Sequence, residues 1–297
     1  MTQTCTNLSV PYAEEWLLAF VNTVRVDWLS PIVHGITFIG DAEFYVLFFA
    51  IGFATGKRFN FYHLGFLLLT SALINQWAKD LVLACRPLSV TPLITIETGD
   101  LSFPSGHAQI SAAFWGYLAL VSKKTRWRLA AISTLLLIAL SRPYLGVHYF
   151  HDIAAGLVLG GLLAFVFYYW NRAIDRWLTS WIHAIIVFGG SLFVCLLIPT
   201  QSFSAYQYWG ALLGLGLGYI YNDRLLKLPQ DSPPRRKWPM LIYSLAGVLC
   251  FYFGLEKLFN LWGVHPAVSY SLRFFLLTVW VTVGVRWIRS FHSRIAN

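Results

Sequence analysis

Nine apolar stretches divide the chain, at roughly residues 37–55, 60–78, 106–121, 128–142, 152–170, 181–198, 206–222, 239–257 and 270–287. Nothing else in the sequence restricts the fold so strongly. In lipid, a run of that kind satisfies its backbone polar groups as a helix, so helices are expected throughout. Composition agrees: 57% of the 297 residues are hydrophobic and 12% are charged. A water-soluble domain of this size needs more polar surface than that. Aromatic residues make up 17%, which suits belts of Trp and Tyr at two membrane interfaces. The expected fold is all-α, a polytopic membrane bundle of about nine transmembrane helices. Several stretches are shorter than the ~20 residues that span a bilayer, so tilt or protruding polar turns must make up the difference.

Ahead of the first stretch, "YAEEWLLAFVNTVRVDWLSP" sets Trp16, Leu17, Phe20, Val21 and Val24 at helical spacing opposite Glu14, Glu15, Asn22 and Arg25. This reads as an interfacial amphipathic helix. No basic segment precedes a short apolar run, so no cleavable signal peptide is expected. Three regions result: a non-cytoplasmic N-terminal segment (1–35), a core (36–175) and an additional C-terminal transmembrane bundle (176–297).

The net charge of +9 is distributed by topology. If the segments alternate, the loops at 57–58, 123–128, 172–176, 224–237 and 286–294 share one face and hold most of the Lys and Arg. By the positive-inside rule that face is cytoplasmic, with the N-terminus outside and the C-terminus inside. No nucleic-acid partner is needed to explain the charge. The opposite face keeps only Arg25, Lys79, Arg86, Arg142, Lys257 and Arg273. Three of these six accompany histidines.

Three stretches carry that cluster. In "KDLVLACRP", Lys79 and Arg86 are two helical turns apart, on one side if the helix continues so far. In "SFPSGH", Ser105 suits a helix cap, Gly106 lets a ligand approach the backbone, and His107 occupies the first turn. Such a helix N-terminus is a ready anion site. In "SRPYLGVHYFHD", Arg142 ends one segment, and His148 precedes Asp152 by four residues. The carboxylate can then hold one ring nitrogen and leave the other free to attack. His107 has no acidic neighbour in sequence, which suits a general acid. No carboxylate cluster offers Mg²⁺ a site, so no metal or other cofactor is expected. Phosphoryl transfer through a phosphohistidine follows.

The sequences K-x6-RP at Lys79–Pro87, PSGH at Pro104–His107 and SR-x5-H-x3-D at Ser141–Asp152 resemble the three signature motifs of the type-2 phosphatidic acid phosphatase superfamily. The resemblance implies that His148 is the nucleophile, Asp152 its partner and His107 the acid. It also implies that Lys79, Arg86, Ser105, Gly106 and Arg142 bind phosphate. The nine-segment layout, "FIGDAEFYVLF" and "ETGDLSFPSGH" are similar to sphingosine-1-phosphate phosphatases and glucose-6-phosphatases. "HYFHD" departs from the family's common "HYPxD", leaving His151 without a role.

The expected activity is metal-independent hydrolysis of a phosphate monoester, on a membrane lipid, at the non-cytoplasmic face. Alternatives using the same site are a polyprenyl (undecaprenyl) diphosphate phosphatase and a lipid phosphotransferase. A transporter of lipids or phosphate compounds is the alternative of another class. The expected setting is a bacterial inner membrane with the site facing the periplasm, a eukaryotic lumen being the other option. Asn75 is read either as orienting Lys79 or as packing between helices, and Glu97 and Asp100 as solvated loop residues. Gly210, Gly214 and Gly218 form a small-residue stripe for packing within the chain, or in a homodimer. The cysteines show no zinc or disulfide framework. Cys85 is read as a thiol beside the site, with a Cys5–Cys85 bridge as the minority alternative.

Overall fold

In the computed structural model, which describes residues 12–55, 61–87, 89–95, 101–178, 204–221, 237–285 and 287–288, the regular elements are helices. In chain order they are α1 (Tyr12–Thr23), α2 (Ser30–Phe38), α3 (Ala42–Thr55), α4 (Phe61–Val82), α5 (Gly106–Val121), α6 (Thr125–Tyr144) and α7 (Phe150–Leu178). There follow α8 (Ser204–Tyr221), α9 (Lys237–Leu249), α10 (Leu255–Leu261) and α11 (Pro266–Val279). A π-turn at Cys250–Gly254 joins α9 to α10, and another at Trp280–Gly284 follows α11.

Three helices among the described residues are long and apolar enough to cross a membrane: Phe150–Trp170, Trp238–Leu261 and Pro266–Gly284. A fourth arises if α2 and α3, bent by 48° at their junction, form one span. The apolar stretch 181–198 lies outside the described residues. At 16 residues, α5 is about 24 Å long against a hydrocarbon core of about 30 Å. Exposed Trp127, Trp238 and Trp262 sit at or just beyond helix ends, where an interfacial belt places them.

The chain forms two compact units. The first comprises Met1–Phe44, Ser71–Trp170 and Pro199–Ser202. Within it α6 packs against α5 and α2. On α7, a side chain at Gly156 would press on the Ser105 carbonyl, and one at Gly160 would overlap the Gln109 carbonyl. α5 and α7 therefore meet backbone to backbone. Arg25 clamps the start of this unit to the end of α6: its Nε donates to the Tyr144 carbonyl and its Nη1 to that of Thr91, both at 2.7 Å. The turn it covers needs Gly146 at φ +75°.

One expectation fails here. α4 stops at Val82, with Leu83 in the left-handed region (φ 55°) and its N–H on the Lys79 carbonyl. Arg86 is therefore not on the same helical face as Lys79, and the chain has already turned before Pro87.

The second unit comprises Tyr45–Thr70, Asn171–Ile198 and Phe203–Asn297. The stripe Gly210, Gly214 and Gly218 lies against Ser271, Phe275 and Thr282 of the α11 segment, so it serves packing within the chain. Buried Arg273 donates to the Tyr252 carbonyl and to Glu256, both at 2.8 Å.

Candidate active site

His148 lies buried in the turn between α6 and α7, and its two ring nitrogens meet different chemistry. Nε2 is 3.2 Å from Arg86 Nη1, which also donates to the Val147 carbonyl at 2.7 Å. A guanidinium only donates, so Nε2 offers it a lone pair and the ring proton belongs on Nδ1. Nδ1 faces the Ser102 hydroxyl at 3.3 Å and Asp152 Oδ2 at 3.4 Å. Ser102 in turn donates to Asp152 Oδ2 at 2.5 Å, and the Tyr149 N–H donates to the same oxygen at 2.9 Å. Burial, then the charges of Arg86, Arg142 and Lys79, holds His148 well below the usual imidazole range. The neutral ring with an unprotonated Nε2 is the form a nucleophile needs.

Asp152 is tied to the second motif as well. Its carbonyl accepts from the Ser105 N–H at 3.0 Å, which links the start of α7 to the start of α5. Ser105 holds the N-cap position in extended conformation, but its hydroxyl makes no cap bond. Among the described residues that buried oxygen has no hydrogen-bond partner. A buried hydroxyl left so fits a ligand to an incoming anion, since buried polar groups are normally paired. Gly106 follows it. Lys79 and Arg142 exert their charge on both His107 and His148, and Arg142 Nη1 is fixed by Thr37 Oγ1 at 2.6 Å.

His107 does have an acidic partner. Asp41, in the turn between α2 and α3, sits 2.7 Å from its Nε2. The pair is 66 residues apart, so the absence of an acidic neighbour in sequence stands beside a partner that no local pattern reveals. With Nε2 engaged, Nδ1 is the nitrogen left to exchange a proton. Asp41 stands in "FIGDAEF" and Ser102 in "SFPSGH", where local spacing marks neither as a partner of a histidine.

Asn75 holds the second motif instead of Lys79. Its amide donates to the Pro104 carbonyl at 3.2 Å and to Gln109 Oε1 at 2.9 Å. Gln109 then donates to the Ser71 carbonyl at 2.9 Å. His151 contacts Glu14 at 2.6 Å. Cys85, next to Arg86, is disulfide-bonded, which overturns its reading as a thiol. A bridge between distant cysteines leaves no mark in spacing. Cys5, Glu97 and Asp100 lie outside the described residues.

Residues 60–176 match the PAP2 superfamily, and residues 206–290 match the PAP2 superfamily phosphatase, transmembrane extension. Phosphatidylglycerophosphatase B of Bacillus subtilis is 30% identical over 57% of this chain and 88% of its own. Glucose-6-phosphatase 3 of Bos taurus is 28% identical over 48% of this chain and 49% of its own. Sphingosine-1-phosphate phosphatase 1 of Mus musculus is 29% identical over 52% and 38%, so the chain spans about half or less of these two relatives. The shared segment contains all three motifs, and with most of a 30% identical relative covered, the chain belongs to the PAP2 superfamily of membrane phosphatases.

Proposed function

We propose that the chain hydrolyses a lipid phosphate monoester at the non-cytoplasmic membrane face through a phosphohistidine. The arrangement of His148 carries this reading: Nε2 faces Arg86, and Nδ1 is backed by Ser102 and Asp152. The phosphate rests at the Ser105–Gly106 turn, its charge met by Lys79, Arg86 and Arg142. Nε2 of His148 attacks phosphorus in line, and the bond to the leaving oxygen breaks as His107 supplies that oxygen with a proton. Water then attacks phosphorus and loses a proton to His107. The N–P bond breaks, inorganic phosphate leaves and His148 is neutral again.

A lipid substrate follows from the membrane setting and from relatives named for phosphatidylglycerophosphate and sphingosine 1-phosphate. The face follows from the basic loops, and from the disulfide at Cys85, since such bonds persist in oxidising compartments. This reading keeps nine spans, the N-terminus outside and the C-terminus cytoplasmic, with 36–175 as the catalytic core and 176–297 as an added bundle.

The test is phosphate release by purified protein in detergent with EDTA. Substrates are phosphatidylglycerophosphate, phosphatidic acid, sphingosine 1-phosphate, undecaprenyl diphosphate and glucose 6-phosphate, with His148→Ala as control. Release that survives EDTA and is lost in the variant is the expected result. Release that survives His148→Ala would end the histidine mechanism. Transfer of phosphate to a second lipid, seen in the products, would replace hydrolysis.

A further inference from the structure

His151 fills the variable position of the third motif, beside Phe150, which stands where the common pattern has proline, and the mechanism above leaves it unused. It nevertheless has a partner at each ring nitrogen and stacks on two aromatic rings. Its Nδ1 is 2.6 Å from Glu14 Oε2 on α1, and its Nε2 is 3.2 Å from Asp152 Oδ1. Its ring stacks on Tyr149, with centroids 5.5 Å apart and planes at 13°, and on Phe103, at 5.9 Å and 27°. Both nitrogens thus face carboxylate oxygens, which have no hydrogen to give when ionised. The Glu14 contact is within hydrogen-bond range of Nδ1. The Asp152 contact is of ion-pair range but off hydrogen-bond alignment, leaving Oδ1 without a hydrogen bond among the described residues.

Asp152 is therefore divided between two histidines. Oδ2 serves His148 through Ser102, and Oδ1 faces His151. Among the described residues, Glu15 on α1 exerts its charge on Tyr149, and Arg86 exerts its charge on Asp152.

Given the proposed phosphohistidine reading, we propose that Glu14 and His151 form a positioning pair that holds the Asp152 carboxylate against His148, so that α1 helps to set the nucleophile. Neither residue touches phosphate. Each acts through Asp152: Glu14 fixes the His151 ring, and the ring fixes the rotation of the carboxylate. Trp16, Leu17 and Phe20 are exposed on the same helix that carries Glu14. The helix expected to lie at the lipid surface is therefore the one that reaches the nucleophile's support.

The experiment uses the full chain and compares Glu14→Gln, His151→Phe and the double variant. His151→Phe retains a ring to stack between Tyr149 and Phe103. Each single change is expected to lower kcat about tenfold with KM within twofold, because misplaced supports cost rate. The double variant should be no slower than the worse single, and the pH profile of kcat should move in each. Multiplying losses, an effect on KM alone, or an unmoved pH profile would overturn the pair.

A second measurement does not depend on turnover. In ¹⁵N-histidine-labelled protein, with the His148 signals assigned by their loss in His148→Ala, Glu14→Gln should shift the His148 Nδ1 resonance. Unchanged His148 signals in folded Glu14→Gln would reject the proposal even if the chain proved not to be a hydrolase. Phosphate release surviving His148→Ala would instead reject the underlying mechanism.

Discussion

Asp41 and His107 meet at 2.7 Å, carboxylate Oδ1 to ring Nε2, across 66 residues of chain. The carboxylate comes from the bend between α2 and α3, and the histidine from the first turn of α5. Under the proposed mechanism this contact fixes which nitrogen of His107 handles the proton. Asp41→Asn is expected to lower kcat about 10- to 100-fold, as loss of general acid–base efficiency does, with KM little changed. A substrate with a good leaving group, such as p-nitrophenyl phosphate, should recover much of the first step. Steady-state kinetics on both substrates check this.

Ser102 tests the other half of the site. Its hydroxyl bridges His148 Nδ1 and Asp152 Oδ2. Ser102→Ala leaves the direct contact at 3.4 Å as the remaining link. A several-fold fall in kcat is expected, smaller than the near-complete loss in Asp152→Ala. Equal losses would mean that the direct contact contributes nothing without the hydroxyl.

The pH dependence follows from the burial and cationic surroundings of His148. They lower its proton affinity from the usual 6.5, so the folded chain keeps it neutral where the unfolded chain takes up a proton. The acid limb of kcat/KM should therefore fall below pH 6.5. The stability linked to His148 should be complete above pH 6.5 and decline as the pH drops below it. Arg86 is the first charge behind this depression, so Arg86→Gln should move the acid limb to higher pH while weakening substrate binding. A pH–rate series on both proteins measures the shift.

Cys85 makes the last prediction. With its sulfur in a disulfide, alkylation by N-ethylmaleimide without reductant should leave activity intact. Dithiothreitol should lower Tm, and activity with it, because Arg86 follows Cys85 directly. The expected loss of stability is about 2–4 kcal/mol, typical of a native bridge. Thermal melts with and without reductant check it.

The sequence announced what periodicity and local spacing encode. The membrane-helix class, His148 with Asp152, and Ser105 at the head of α5 all rest on runs or on neighbours within a few residues. Arg86 lies 3.2 Å from His148 although it is off the helix of Lys79, and nothing local announces that Leu83 leaves that helix at φ 55°. Asp41, Ser102 and Glu14 escaped because their partners lie 66, 46 and 137 residues away, and a carboxylate or hydroxyl looks the same whether paired or solvated. For Asn75 the sequence leaves two readings open, orienting Lys79 or packing between helices. Its amide bonds to the Pro104 carbonyl and to Gln109 Oε1, 29 and 34 residues away.

The glycines of α7 carry a consequence for how such a chain can diverge. Gly156 and Gly160 bring α7 onto the backbone of α5, and the Ser105 N–H closes onto the Asp152 carbonyl. Ser105, His107 and Asp152 therefore belong to one block with no slack, in which an atom added at the glycine contacts is felt by all three. Inheritable change inside the block is filtered for chemistry before it can alter preference. The outward faces of the elements that lean on it, with exposed Trp16 and Phe20 on α1 and Ile32 and Phe38 on α2, are free of that filter. Differences among descendants of this chain in what they accept should gather there, around an unchanging interior.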